Sequence, residues 1–523
     1  MDARQDADNL AWDQSHERWE KALKHVRASA TCRKVEAFAS RTFGKPSTVV
    51  TPLIIGGFNV VYPFKIQGMA SQVLVRLPCP DQAIFPEEKT MVEVATAACI
   101  KQHTQVPIPK IFHHGCDEEI GPYMIIEDLD TRRGMSHALE TPRDDPNDAP
   151  ILNPKISETQ LKDLYLKMEE CVLPLSQPTF PHIGALVESS PSTYEVLGRP
   201  ITLNMNNMFQ LSNIPLSVFP HEGSTYSTAD EWYAVLAEMQ MVTLVFQHND
   251  IISSEDDCRT KNVARKLFHR LAEQKRLTRF GFCDDDWSAS SEHPSATLPS
   301  PDNSGSFRIW SDDFRPVNVL INDENNVVGA IDWEYAYVGP SQFTLDPPWW
   351  LLLEVPEMWD DGIEDWASTY EQRLETWLSA MEEAEKKASS DLPLSAHMRE
   401  SWATSRFWLN YAARKSLSNH AVIDRYRLSL TAAHLLDTPL LTATGLAAFR
   451  RLGPLFSWIE REAGNAIAVF VHYLMRLDIG PCLPSVLFQR LREREELKEA
   501  LSDPGAMSAR AVERLIKPLT VLQ

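Results

Sequence analysis

Three side chains in the second half of the chain have the types and spacing for phosphoryl transfer: Asp313, Asn318 and Asp332. Asp313 and Asn318 close a D-x-x-x-x-N loop, Ser311-Asp312-Asp313-Phe314-Arg315-Pro316-Val317-Asn318, and Asp332 follows in Ile331-Asp332-Trp333-Glu334. A loop aspartate of this kind orients an attacking hydroxyl and accepts its proton. The asparagine and the later aspartate hold the magnesium ions that neutralise nucleotide phosphates. Loop Asp and Asn residues often only hydrogen-bond to turns, so the surroundings must decide. Asn318 opens the apolar run 319–321, residues 322–326 form a polar turn, and a second apolar run, 327–331, ends at Asp332. That is a strand, turn, strand hairpin with a metal-type ligand at each end. A purely structural hairpin has no need of such groups there.

With these residues in place, the chain resembles the aminoglycoside phosphotransferase family, which has the protein-kinase-like fold, and within it the branch found in filamentous fungi. The resemblance covers roughly residues 10 to 418. It extends to the wording of residues 254–268 (SEDDCRTKNVARKLF), 347–359 (PPWWLLLEVPEMW) and 401–416 (SWATSRFWLNYAARKS). Two departures stand out. Ser311-Asp312 occupies the place where the family usually has His-Gly, and a serine hydroxyl is expected to take over part of the bracing of the loop. About a hundred residues also follow the point where the family chain usually ends.

The resemblance places the other groups along the sequence. Residues 56–59, Gly56-Gly57-Phe58-Asn59, form a glycine turn between two β-like runs, 49–55 and 60–64, and would cover the triphosphate. Glycine there lets backbone N–H groups approach phosphates. The strand 72–78 carries Arg76 where kinases place a lysine for the α and β phosphates, and Glu93 on the helix 87–102 is its expected partner. Arginine is longer and wider than lysine, so the phosphate geometry must differ. Residues 123–129, with Glu127 and Leu129, form the expected hinge, whose backbone would read the adenine edge. Arg315 has two readings, an approach to the transferring phosphate or a structural pair with Glu334.

Further expectations concern helices and loops. Leu10, Trp12, Trp19, Leu23 and Val26 predict an amphipathic helix within 9–30. Residues 157–174, capped by Ser157, 228–248 and 256–272 read as helices, 193–206 as a hairpin turning at Gly198, and 284–306 as a mobile surface insert rich in Ser, Pro and Asp. Trp349, Trp350, Trp402 and Trp408 read as core anchors before substrate stackers. Asp332-Trp333-Glu334 replaces Asp-Phe-Gly, and no Ala-Pro-Glu follows. A switchable activation segment is therefore not expected, which favours a small-molecule kinase over a protein kinase.

Composition narrows the partners. The chain has 523 residues, 24% charged and 43% hydrophobic, with a formal net charge of −21, which fits a globular protein of two or three packed units. Such a charge disfavours nucleic acid held by bulk electrostatics. Eight cysteines are scattered without a C-x-x-C pair or zinc spacing, as in a reducing compartment. The start of the chain is polar, and the most apolar stretch, 466–477, is too short to span a membrane.

The expectation is thus an α+β, protein-kinase-like, two-lobed fold. A helix and nucleotide-binding lobe would span 1–128, a helical lobe with the catalytic loop and metal site 129–418, and a divergent helical extension 419–523. The expected activity is ATP- and Mg2+-dependent phosphotransfer to a hydroxyl of a small organic molecule, in the cytoplasm, with no nucleic-acid or membrane partner. The alternative is a catalytically impaired pseudokinase that binds or regulates. A third reading keeps the same metal site for a different transfer.

Overall fold

The computed structural model describes residues 9–415 except 132, 144–148, 247–254 and 289–295; the expected helices after 418 lie outside the described residues. Helices α1 (Asn9–Arg27) and α2 (Ser29–Phe43) precede strands β1 (Ser47–Val49), β2 (Ile54–Ile55), β3 (Asn59–Ile66) and β4 (Val73–Pro78). Helix α3 (Pro86–His103) and strands β5 (Ile111–Asp117) and β6 (Gly121–Glu127) follow. The antiparallel sheet runs β1-β3-β4-β6-β5, with β2 beside β3. The β-like run 49–55 is split in two around Pro52, which has no N–H for a ladder.

The rest is mainly helical. It contains α4 (Ser136–Leu139), α5 (Glu158–Leu175), the hairpin β7 (Ala185–Ser190) and β8 (Thr193–Gly198), α6 (Leu203–Ser212), α7 (Ala229–Phe246) and α8 (Glu255–Glu273). Strand β9 (Arg308–Ser311) leads into the D-x-x-x-x-N loop and the hairpin β10 (Val319–Ile321) and β11 (Val327–Ala330). Strand β12 (Ala336–Gly339) returns to pair with β9, so the loop and the Asp332 segment lie between two paired strands. Helices α9 (Ser341–Thr344), α10 (Ile363–Ala388), α11 (Leu394–Ala403) and α12 (Arg406–Lys415) close the described chain.

Two apolar cores underlie this division. The smaller joins Val26, Val35 and Phe38 of the first helices to Val60, Tyr62, Phe64, Val73, Val75 and Ile125 of the sheet, and the Tyr62 hydroxyl donates to Val26 O at 2.8 Å. The larger fills the helical part and includes Ala95, Ala97 and Ile100 of α3. Helix α3 is therefore buried around most of its circumference, so its polar residues Lys89 and Glu93 need partners inside the protein. The result is a mixed helix and antiparallel-sheet architecture, with a small sheet part and a larger helical part.

Helix α5 begins as read, with Ser157 Oγ accepting from Gln160 N at 3.2 Å. Two local expectations are corrected. The hairpin expected over 193–206 is formed by 185–190 with 193–198; its turn holds Ser192 at φ 61°, and Gly198 ends the second strand. Residues 203–212 are a helix instead, because Thr202 caps it by accepting from Met205 N at 3.2 Å. The described part of the expected insert 284–306 is tied down, since Ser300 N and Oγ donate to Asp284 at 2.8 and 2.6 Å. Glu400 on α11 also accepts from Thr297 N at 2.8 Å and Leu298 N at 3.1 Å.

One buried group works against stability. Glu169 on α5 is fully buried and neither carboxyl oxygen has a hydrogen-bond partner. Burial first, then the charges of Glu385 and Glu383 against Lys162, pushes it up to about 10. Its folded pKa lies above the unfolded value, so ionisation of the unfolded chain costs stability from about pH 4.5 upward and reaches a plateau above about pH 10. Glu169→Gln is expected to stabilise the protein by about 3 kcal/mol at pH 7 and by almost nothing at pH 4. Urea unfolding at the two pH values checks this, and equal effects at both would count against it.

Candidate active site

Asp313 sits at the turn between β9 and β10, with its side chain 18% exposed. Its Oδ1 accepts from Arg315 Nε at 2.9 Å and its Oδ2 from Asn318 Nδ2 at 3.1 Å. Asn318 Nδ2 also donates to Asp313 O at 2.8 Å, closing the loop on itself. Asp313 N donates to Ser311 Oγ at 3.3 Å, so the serine hydroxyl does brace the loop backbone. Burial raises the Asp313 carboxyl above the usual carboxylate range; Arg315 opposes this, while Asp332 and Glu334 add to it. That direction favours proton acceptance near neutral pH.

The loop is fixed from behind. Asp312 is buried, accepts from Trp310 Nε1 at 3.2 Å and pairs with Arg414 Nε of α12 at 3.2 Å. The Arg414 guanidinium lies 4.4 Å from the Trp310 ring centre and 4.8 Å from that of Phe343, and its Nη1 is 3.8 Å from Asp346 Oδ2. Neither Asp312 nor Arg414 was singled out from the sequence as a site residue.

In the sheet, Arg76 is buried on β4. Its Nη1 meets Glu93 Oε1 at 2.5 Å, and its Nη2 lies 2.7 Å from Asp332 Oδ1 and 3.5 Å from Glu334 Oε1. Burial alone would lower the guanidinium, but these three carboxylates raise it above its ordinary value. The Arg76–Glu93 pair expected from the sequence is thus present, and Arg76 joins the sheet to the segment after β11. Asp332 itself has φ 62°, a left-handed backbone that is uncommon outside glycine, although aspartate tolerates it better than most residues. Strain of this kind concentrates at functional sites.

The sequence reading missed Lys89, which is fully buried on α3, one helical turn before Glu93. Its Nζ pairs with Glu334 Oε2 and donates to Asn59 Oδ1 at 3.1 Å. Asn59 Nδ2 in turn donates to Glu334 Oε2 at 2.7 Å. Burial would raise Glu334, but Lys89 and then Arg76 outweigh it and hold the carboxyl below its usual range. Glu334 therefore ties the end of the glycine turn, helix α3 and the Asp332 segment together. The suggested pairing of Arg315 with Glu334 does not occur, because Arg315 turns to Asp313 and Lys89 takes Glu334. The only sequence signal for Lys89 was a lysine on an apolar helix four residues before Glu93, a spacing that usually marks an exposed pair.

The glycine turn projects as expected. A Cβ on Gly57 would meet no atom within 4 Å, and Phe58 packs edge-on against Tyr335 with ring centres 5.3 Å apart. The Gly56 N–H, however, is already donated to Asn59 O at 2.9 Å, which leaves it no part in binding an anion. In the hinge, Glu127 donates its N–H to Lys110 O at 2.8 Å and accepts from Lys110 N at 3.2 Å. Leu129 packs onto β11, where a Cβ on Gly329 would collide with Leu129 Cδ1. Trp349, Trp350 and Trp408 are buried and Trp402 packs against the core, as anchors do.

Among the described residues, no group of three or more His, Cys, Asp or Glu side chains could hold a metal by itself. No helix among them is long and apolar enough to cross a membrane.

Residues 201–386 match the family described as "Phosphotransferase enzyme family", which includes Asp313, Asn318 and Asp332. The match spans 186 of the 523 residues, and the family it falls to is the one that the sequence resembles. No match was found among curated proteins. Among solved structures, the chain is similar to a macrolide 2'-phosphotransferase type I at 14% identity, covering 77% of this chain and 98% of that one with a TM-score of 0.37. It is also similar to a thermostable mutant of an aminoglycoside phosphotransferase in ternary complex with AMP-PNP and hygromycin B, at 14% identity, 76% and 98% coverage and a TM-score of 0.38. A third is the GDP complex of wild-type aminoglycoside 2'-phosphotransferase-IIIa, at 13% identity, 76% and 97% coverage and a TM-score of 0.36.

Proposed function

We propose that the protein transfers the γ-phosphate of ATP to a hydroxyl of a small organic molecule. The observation that carries this reading is that Arg76, paired with Glu93, reaches Asp332, while Asp313 and Asn318 bond to each other on the loop before it. Asp313 is the base: its carboxylate is held by Arg315 and Asn318, and its raised affinity for a proton suits it to take one from an acceptor hydroxyl. Arg76 steadies the α and β phosphates with Glu93 behind it. Gly57, Phe58 and Asn59 cover the triphosphate, and Leu129, whose N–H has no partner among the described residues, reads the adenine edge.

Asn318 and Asp332 fit a magnesium site. The Asn318 amide nitrogen faces Asp313, so its oxygen points elsewhere, and Asp332 uses one oxygen for Arg76. Two protein oxygens suffice because magnesium takes its other ligands from phosphates and water. When bound, the ion would neutralise phosphate charge. Residues 1–128 then form the nucleotide lobe, 129–418 the catalytic lobe and 419–523 an extension, in a cytoplasmic enzyme of the fungal branch.

One observation favours the binding-only reading: in the structure Arg76 occupies an Asp332 oxygen, a cation standing where a metal would sit. Turnover separates the two readings. The wild-type chain should consume ATP only in the presence of magnesium and an acceptor from a metabolite panel. Asp332→Asn should weaken magnesium-dependent nucleotide binding at least about tenfold, the range in which altered ligation sets metal affinity. Unchanged binding in that variant, measured by calorimetry with and without magnesium, would remove Asp332 from the metal site.

A further inference from the structure

Two neighbouring residues of the glycine turn touch two neighbouring residues just past Asp332. Phe58 packs edge-on against Tyr335 with ring centres 5.3 Å apart, and Asn59 Nδ2 donates to Glu334 Oε2 at 2.7 Å. Lys89 of α3 backs both contacts. Its Nζ pairs with Glu334, donates to Asn59 Oδ1 at 3.1 Å and lies 5.7 Å from the centre of the Tyr335 ring. Asn59, Lys89, Glu334 and Tyr335 are all buried. The Asn59 amide thus has one partner inside the protein for its oxygen and another for its nitrogen, and its side chain links elements of the protein to one another.

The same short segment reaches the loop of Asp313 from its other side. Trp333, between Asp332 and Glu334, stacks on Phe314, the residue after Asp313, with ring centres 5.5 Å apart. Its Nε1 donates to Ala330 O at 3.2 Å, which ties the ring to the end of β11. A buried carboxylate becomes costly once its donors leave, so Glu334 resists any parting of the turn from this segment. The main-chain bond from Cys79 N to Phe58 O at 2.8 Å holds the turn to the sheet. Residues 334 and 335 hold it to Asp332 and, through Trp333, to the Asp313 loop.

We propose that residues 333–335 form a clasp that transmits occupancy of the glycine turn to the Asp313 loop, with Asn59, Lys89 and Glu334 as positioning residues. The inference rests on the phosphotransferase reading and adds to it the groups that align the parts without touching the reacting atoms. A nucleotide that settles the turn then also settles the metal aspartate and the base, which is where alignment sets the rate. The clasp acts on this coupling more than on affinity, because the hinge at 127–129 lies outside it.

Hydrogen exchange of the full chain, with and without magnesium AMP-PNP, reads the coupling directly. Four proteins are compared: the wild type, Phe58→Ala, Asn59→Asp, and the double variant Asn59→Asp with Glu334→Gln. Phe58 is half-buried, so losing its ring leaves the core intact. Asn59→Asp sets a second carboxylate against Glu334, and the double variant restores one carboxylate and one amide around Lys89 in exchanged places. In the wild type, magnesium AMP-PNP should slow exchange in residues 54–60 and 311–318 together. In both single variants the slowing at 311–318 should shrink by about tenfold, the scale of one or two lost hydrogen bonds, while that at 54–60 persists. The double variant should recover most of it. Undiminished slowing at 311–318 in the single variants, or no recovery in the double variant, overturns the clasp and leaves the phosphotransferase reading standing. If calorimetry finds no binding of magnesium AMP-PNP to the wild type, both fall.

Discussion

Replacing Asp313 by alanine is expected to lower the rate of phosphoryl transfer by about a thousandfold or more while leaving magnesium-nucleotide affinity within a few-fold. General-base catalysis accounts for roughly 10²- to 10⁴-fold in rate, and Asp313 also positions its neighbours. Its two carboxylate oxygens hold Arg315 and Asn318, so the variant frees the arginine and leaves Asn318 held only by the main-chain oxygen of residue 313. The asparagine variant separates these contributions. Asp313→Asn keeps an oxygen for one of the two donors but cannot take a proton, so it should lose nearly as much rate. Single-turnover kinetics with a saturating acceptor reads this directly. A rate within about threefold of wild type in either variant would exclude Asp313 as the base.

Lys89→Met is expected to destabilise the folded protein by about 3 to 5 kcal/mol, the usual cost of removing one member of a buried ion pair. The methionine fills similar space, so packing changes little and the effect reports on charge. Glu334 would then remain buried with only Asn59 and the more distant Arg76 as donors. The charge that holds its carboxyl below the usual range would be reduced. Urea unfolding measures the loss, and a value under about 1 kcal/mol would mean that Lys89 does not sustain the ionised Glu334. The double variant Lys89→Met with Glu334→Gln provides the complement. If the pair is the reason, the second change should recover part of the stability lost in the first.

Where local spacing determined contacts, the sequence was a good guide to the site. The β10–β11 hairpin appears with Asn318 at its start and Asp332 past its end, because two short apolar runs around a polar turn have few other ways to pair. The Arg76–Glu93 contact was likewise readable from a strand and a helix whose roles are linked. What escaped was set by long-range packing. Lys89 stands one helical turn before Glu93, yet the two side chains reach different partners, and Glu334 lies 245 residues away in sequence. Arg414 and Asp312 were opaque for the same reason, since only the return of α12 against β9 brings them together. The hairpin expected at 193–206 failed because Gly198 resembled a turn, whereas the turn formed at Ser192 and the Thr202 cap claimed the following residues for a helix.

The contact between Arg414 and Asp312 bears on where the working unit ends. The segment matched to the phosphotransferase family stops at residue 386, before helix α12 begins. A fragment trimmed to that boundary would retain the acids and the asparagine of the site. It would lack the strut that presses against the rear of their loop, and the loop would be free to drift at the moment when alignment sets the rate.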